Sequence, residues 1–421
     1  MSHPATHTDR STALPAPSSA APRLAPVRAE GGFPVVGIIG GGQLARMCQP
    51  PAVALSLTLS VLAESETASA ALVVPHSPVG SHADLAAVRE FAAGCDVVTF
   101  DHEHVPPAVL QALEADGVAL HPRPAALRHA QDKLVMRERL TAMGIPCPRW
   151  VQARTAEEVA AFGGQVGWPL VAKTPRGGYD GKGVRVVHAV EELTDWLADA
   201  GRPESPALAD GLLLEEAVPF TRELAVMVAR SPSGQAAAWP VVETVQTGGV
   251  CTQVLAPAPG LDPDLAAAAT EGALRIAGEL DVTGVMAVEL FEVGEGEHSR
   301  YLVNELAMRP HNSGHWTIEG SVTSQFEQHL RAVLDLPLGA TSARDQWTVM
   351  ANVLGGEHPD LYPTYRHLMA RDPGLRVHLY GKGVRPGRKL GHVTVYGDGP
   401  LTGLRERAQH AADYLQGVVD E

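Results

Sequence analysis

Between residues 35 and 120 short apolar runs alternate with helical patterns, which restricts this region to a parallel sheet covered by helices. Residues 35–40 read as a buried strand ending in glycines, followed by a helical Gln43-Leu44-Ala45-Arg46-Met47. Residues 57–62, 96–100 and 118–120 read as further strands, and 84–93 and 107–115 as helices between them. A helical segment over 132–143 ends at Gly144 and Pro146, after which the pattern changes. Strands are expected over 169–173, 183–187, 212–216, 224–229, 287–291, 301–305, 376–380 and 392–396. The fold expected is α/β with a doubly wound parallel sheet at the start, and α+β afterwards.

A chain of 421 residues suits two or three domains, and 45% hydrophobic residues supply their cores. The net charge of −15 argues against nucleic acid as a partner, since that binding relies on a basic surface. A small anionic substrate remains compatible, because a few local basic groups suffice. No apolar run approaches the roughly 20 residues of a membrane helix. Cys48, Cys95, Cys147 and Cys251 lie far apart without a C-x-x-C pair, which suits a reducing cytoplasm. Residues 1–32, rich in Ala, Pro, Ser and Thr, read as a disordered extension.

Several segments carry groups suited to chemistry. Gly40-Gly41-Gly42-Gln43-Leu44-Ala45 fits G-x-G-x-x-A after a strand, where backbone N–H groups and the helix dipole favour a phosphate. Glu64 falls where an acidic residue would meet a ribose, so NAD, FAD or a mononucleotide all fit this segment alone. Lys173 to Gly183 places four glycines and two lysines between strands, a loop able to bring donors to polyphosphate oxygens. Glu289 and Glu305 interrupt apolar strands. Antiparallel pairing across the loop 294–299 would bring them together to hold Mg²⁺ or Mn²⁺ against a triphosphate, with Asn304 adding an oxygen. Solvated glutamates on an edge strand are the plainer alternative.

His311 and His315 have the spacing of a metal pair on a helix, but Pro310, Ser313 and Gly314 favour a substrate-contacting loop. His102-Glu103-His104 follows a strand and precedes Pro106-Pro107, so it is expected to line a cleft at the strand's carboxyl end. Lys382, Arg385, Arg388 and Lys389 form a basic cluster suited to a phosphate ester. The lysines and glutamates would equally serve a ligase activating formate or another carboxylate through an acyl phosphate, or a non-catalytic nucleotide-binding protein.

Together these segments resemble the N5-carboxyaminoimidazole ribonucleotide synthetases of the ATP-grasp superfamily. The resemblance covers nearly everything after residue 33 and rests on Gly41 to Met47, Gly177 to Gly183, Asn304 to Ala307, Arg309 to Trp316 and Gly387 to His392. Met308 stands where the family pattern has proline, and the 294–299 loop is slightly enlarged; neither departure removes a charged group. The resemblance implies an N-terminal pre-ATP-grasp domain (33–131), an ATP-grasp domain (132–330, lid about 150–218) and a C-terminal mixed β domain (331–421). Lys133 and Lys173 would contact ATP phosphates. Glu215 would meet the adenine amine beside Glu216, with a backbone contact near Val218, and Glu223 would hold the ribose. Glu289 and Glu305 would coordinate the metal. Gln43, Leu44 and Glu103 would face 5-aminoimidazole ribonucleotide, with Lys382, Arg388 and Lys389 on its phosphate. Tyr179, Asp180, Lys182, Arg309 and His311 would surround bicarbonate as it is activated to carboxyphosphate, with Asp180 or His311 managing the amine proton. A homodimer is implied as well.

Overall fold

The computed structural model describes residues 25–178, 183–356 and 358–419. Its strands fall into three sheets in chain order. β1 (Val35–Ile39), β2 (Thr58–Leu62) and β3 (Val97–Phe100) form a parallel sheet of order β2-β1-β3. The expected strand at 118–120 is instead a single bridge, Leu120 to Val98. His121 N–H still donates to Val98 O at 2.9 Å, but Pro122 then removes the next donor and the ladder stops. At the described end of the expected extension, Arg28 pairs with Asp96 at 2.5 Å and so lies against this sheet.

β4 (Trp150–Ala153), β5 (Leu170–Lys173), β6 (Val184–Val187) and β7 (Leu212–Glu216) make an antiparallel sheet of order β4-β7-β5-β6. The remaining strands are β8 (Phe220–Arg230), β9 (Ala236–Ala238), β10 (Val242–Thr247), β11 (Val250–Ala256), β12 (Gly284–Val293), β13 (Arg300–Ala307), β14 (Trp347–Leu354), β15 (Arg376–Leu379) and β16 (Lys389–Gly397). They form one large sheet running β13-β12-β8-β10-β11-β14-β16-β15, with β9 on β8.

Period-two burial explains its centre. Leu224, Val226 and Val228 of β8 pack with Ala269, Ala273 and Ile276 of the helix Pro263–Glu279. Ala225, Met227 and Ala229 face the other way, toward Trp239 and Trp316. The helix Gln325–Val333 inserts Phe326, Leu330 and Val333 into the core under β1 and β2. Its His329 joins the two sheets: Val285 N–H donates to Nδ1 at 3.0 Å, which leaves Nε2 to donate to Thr99 Oγ1 at 2.9 Å. Among the described residues no helix is long and apolar enough to cross a membrane.

Candidate active site

A cavity of about 770 Å³ opens among the three sheets, lined by Gln43 and Glu103 from the first, Lys173 and Glu215 from the second, and Glu289 and Glu305 from the third. β12 and β13 run antiparallel with Glu289 directly opposite Glu305, as the sequence leads one to expect. The register then slips, so that Leu290 faces Val303 and Asn304 is the extra residue of a bulge. A regular strand would send Asn304 and Glu305 to opposite faces, whereas here both line the cavity.

Lys133, the first residue of the helix Lys133–Ala142, reaches Glu305 Oε1 at 3.0 Å. Lys173, at the end of β5, reaches Asn304 Oδ1 at 2.9 Å and Glu215 Oε2 at 2.7 Å. The other Glu215 oxygen takes Arg137 Nε at 2.5 Å, and Arg137 Nη2 also donates to Asn304 O at 2.7 Å. Burial pushes the Glu215 carboxyl up, but the two cations more than reverse this, and its pKa is lowered overall. Each Glu215 oxygen thus accepts from one cation. Glu216 is likewise tied, accepting from Arg149 N at 2.9 Å and Arg149 Nε at 2.7 Å.

Glu103 lies opposite these groups. Its Oε2 accepts from Arg309 Nε at 2.8 Å, while its buried Oε1 has no hydrogen-bond partner among the described residues. Burial raises this carboxyl, but Arg309 draws it below its ordinary value. His311 Nε2 lies 3.1 Å from Glu289 Oε1, and its Nδ1 meets Ser313 Oγ at 2.9 Å. His315 Nδ1 turns instead to Gln325 at 2.8 Å, so the two histidines do not converge as a metal pair. Residues 312–314 form a short 3-10 turn, in keeping with a loop. Glu223 has its carboxyl raised to about 7, chiefly by burial and then by the neighbouring Glu289 charge.

The basic cluster is divided. Lys389 lines the cavity, Lys382 Nζ donates to Gln43 Oε1, and Arg388 donates to Gly383 O at 3.1 Å. Leu44, Val218, His102 and His104 also line the cavity. Tyr179, Asp180 and Lys182 lie outside the described residues.

The turn at Gly40–Ala45, expected to receive a phosphate, meets two of the protein's own carboxyl groups. Asp101 Oδ1 accepts from Ala45 N–H at 2.8 Å, and Glu64 accepts from Gly41 N–H at 3.2 Å. Two carboxyl groups, following β2 and β3, therefore occupy two of the donors a phosphate could use. Sequence reasoning also missed Arg137, which reads as one more charge on a helix, and the stacked pair Phe220 and Phe291 (4.7 Å) that lines the cavity beside Val171 and Val186.

Comparison with known proteins agrees with this arrangement. Residues 34–131 match the ribonucleotide synthetase preATP-grasp domain, 138–326 the ATP-grasp domain, and 348–402 the phosphoribosylaminoimidazole carboxylase C-terminal domain. The N5-carboxyaminoimidazole ribonucleotide synthase of Mycobacterium tuberculosis is 54% identical over 387 residues, covering 91% of this chain and 88% of its own. The N5-carboxyaminoimidazole ribonucleotide synthetase of Thermus thermophilus superposes with a TM-score of 0.77 at 38% identity, over 92% of this chain and 99% of that one. The Aspergillus clavatus synthase, solved with ADP and 5-aminoimidazole ribonucleotide, gives 0.79 at 34%, over 91% and 98%.

Proposed function

Because the chain belongs to the N5-carboxyaminoimidazole ribonucleotide synthase family of ATP-grasp ligases, we propose that its cavity joins bicarbonate to 5-aminoimidazole ribonucleotide, with cleavage of ATP to ADP and phosphate. The observation that carries this reading is the placement of Glu289 and Glu305 opposite each other, beside Lys133 and Lys173, in one cavity with Glu103.

The apolar surface of Val171, Val186, Phe220 and Phe291 suits a purine ring, with polar contacts from the 215–218 backbone. Glu223 then lies where ribose hydroxyls would donate to it. Lys133 and Lys173 neutralise phosphate oxygens, and Glu215 and Asn304 hold Lys173 in place for that task. Glu289, Glu305 and the Asn304 amide oxygen are hard oxygen donors on one bulged strand pair, which fits Mg²⁺. The ion would neutralise triphosphate charge, while Lys133 and His311, now paired with those carboxylates, turn to substrate.

Bicarbonate is a poor electrophile, and transfer of the γ-phosphoryl to it gives carboxyphosphate. The exocyclic amine then attacks the carboxyl carbon, a C–N bond forms, the C–O bond to phosphate breaks, and the amine proton must leave. His311, beside Glu289, or Asp180 would take that proton, and Arg309 would balance carboxyphosphate charge. Glu103 Oε1 and Gln43 face the nucleotide, and Lys389, with Lys382 behind Gln43, its phosphate. Tyr179, Asp180, Lys182 and Arg388 complete the proposed set. The widely spaced cysteines fit a reducing cytoplasm, where we expect a homodimer, checked by light scattering.

The test is ADP release with each substrate withheld in turn. Release requiring both bicarbonate and the nucleotide, with loss of the free aromatic amine, is the expected result. Release that ignores bicarbonate but needs formate would transfer the chain to acyl-phosphate chemistry, and no release would favour a binding role.

A further inference from the structure

Gln325, the first residue of the helix Gln325–Val333, is fully buried and spends its whole side-chain amide on the loop that carries His311. His311 N–H donates to Gln325 Oε1 at 2.8 Å, and Gln325 Nε2 donates to His311 O at 2.9 Å. These two bonds fix which end of the amide is nitrogen. The second Nε2 hydrogen therefore goes to His315 Nδ1, 2.8 Å away, and the neutral His315 ring carries its proton on Nε2. The Gln325 backbone N–H donates to Thr317 Oγ1 at 2.8 Å, and Thr317 Oγ1 donates to Gly314 O at 2.6 Å. A Cβ on Gly314 would come within 2.6 Å of Gln325 Oε1, so the loop is shaped to admit this amide.

We propose that Gln325 is a positioning residue for the ligase reaction, holding the His311 backbone so that its imidazole stays on Glu289 and faces the reacting atoms. This rests on the function proposed above. The helix that bears Gln325 is itself anchored through His329 to both β3 and β12, the strands leading to Glu103 and carrying Glu289. The clamp thus references His311 to the two halves of the cavity. Among the described residues, the His311 charge acts on Glu289, Glu103 and His315, and Arg309 acts on all three, with Lys389 acting on Glu289 and His315.

The molecule contains its own control. Gln328, on the same helix and also fully buried, grips Gly339 in the same way: Nε2 donates to Gly339 O at 2.8 Å, and Gly339 N–H donates to Oε1 at 2.8 Å. Neither glutamine lines the cavity, but His311, which Gln325 grips, does so, whereas Gly339 does not. Gln325→Met and Gln328→Met should lower the melting temperature comparably. Only Gln325→Met should lower kcat, on the order of 10- to 100-fold with KM for ATP changed less than about threefold, as expected for misplacement of a reacting group. On a His311→Asn background, Gln325→Met should cost no further kcat. Gln325→Glu keeps the acceptor for His311 N–H and supplies a donor only when protonated. Its activity relative to the parent should therefore fall as pH rises, a profile that lost packing would not produce. If Gln325→Met fails to fold, Gln325→Glu decides.

Equal kcat in folded Gln325→Met and Gln328→Met, or a Gln325→Glu profile parallel to the parent, would overturn the proposal. Should the parent itself show no bicarbonate-dependent turnover, the ligase reading has failed. The clamp is then judged by the NMR chemical shift of the His311 backbone N–H, which must move in Gln325→Met and not in Gln328→Met.

Discussion

Two glycine-rich turns follow buried strands in this chain, one after β1 and one after β5, and both read in sequence as places for phosphate. After β1 two backbone donors are taken within the protein, Gly41 N–H by Glu64 and Ala45 N–H by Asp101. A Cβ on Gly42 would come within 1.9 Å of Asp101 Oδ2, so glycine there makes room for the carboxyl rather than for a ligand. After β5 the charge stays on the cavity side. Lys173 sits between Glu215 and Asn304, and Gly177 and Gly178 line the cleft. What separates the two turns is where distant side chains meet them: Glu64 and Asp101 close on backbone amides of the first, whereas Glu215 and Asn304 hold the Lys173 side chain of the second at the cavity wall.

The most damaging way to disturb this division is through Arg137. It is fully buried and shares Glu215 with Lys173. Arg137→Met should leave Glu215 under-compensated and cost about 3–5 kcal/mol, the range for breaking a buried ion pair from one side. Urea unfolding measures it, and a loss below about 1 kcal/mol would mean that Glu215 is not held by this pair. Next in size is Glu305→Gln on the open side. Here kcat for ADP release should fall on the order of 10²- to 10³-fold, as when one electrostatic partner of a transition state is removed. The urea midpoint should hardly move. Full ATP turnover in a folded variant would defeat the metal assignment. On the closed side, Asp101→Ala removes the carboxyl that caps the helix Gln43–Ala54 from outside it, for a loss of about 0.5–2 kcal/mol. A negligible loss would reopen the first turn as a phosphate site.

These contrasts also mark how far the sequence could be read. Pairing of Glu289 with Glu305 was legible because two apolar strands flank a short loop and antiparallel register does the rest. The alternation in residues 35–115 gave the parallel sheet for the same local reason. The bulge at Asn304 was not legible, since it depends on where β12 and β13 slip past each other and no local propensity records that slip. Nor were the occupants of the first turn: Asp101 is 56 residues from Ala45 in the chain, and only the packed sheet brings them together. Strands β10, β11 and β14 escaped as well, because their mixed polar and apolar residues suit a sheet only once neighbours cover them.

The smallest effect expected concerns Glu223, which has the sequence of an ordinary strand glutamate and the environment of a cavity wall. Its carboxyl is raised from 4.5 to about 7, by burial first and by the nearby Glu289 charge second. Between those pH values the native state holds a proton that the unfolded chain has released. Stability contributed here must therefore fall as pH rises from about 4.5 to about 7 and then level off. Partial exposure and screening keep the effect well below what the full shift would give. Glu223→Gln should flatten the stability profile of the ligand-free protein in this window and leave it unchanged elsewhere. Nucleotide affinity should behave oppositely, because only the ionised carboxylate can accept from both ribose hydroxyls; ATP binding by the parent should tighten as pH passes 7 while that of the variant does not. Matching pH profiles for parent and variant in both measurements would remove Glu223 from the cavity's working charges and leave the open side of the comparison to Lys133, Lys173, Glu289 and Glu305.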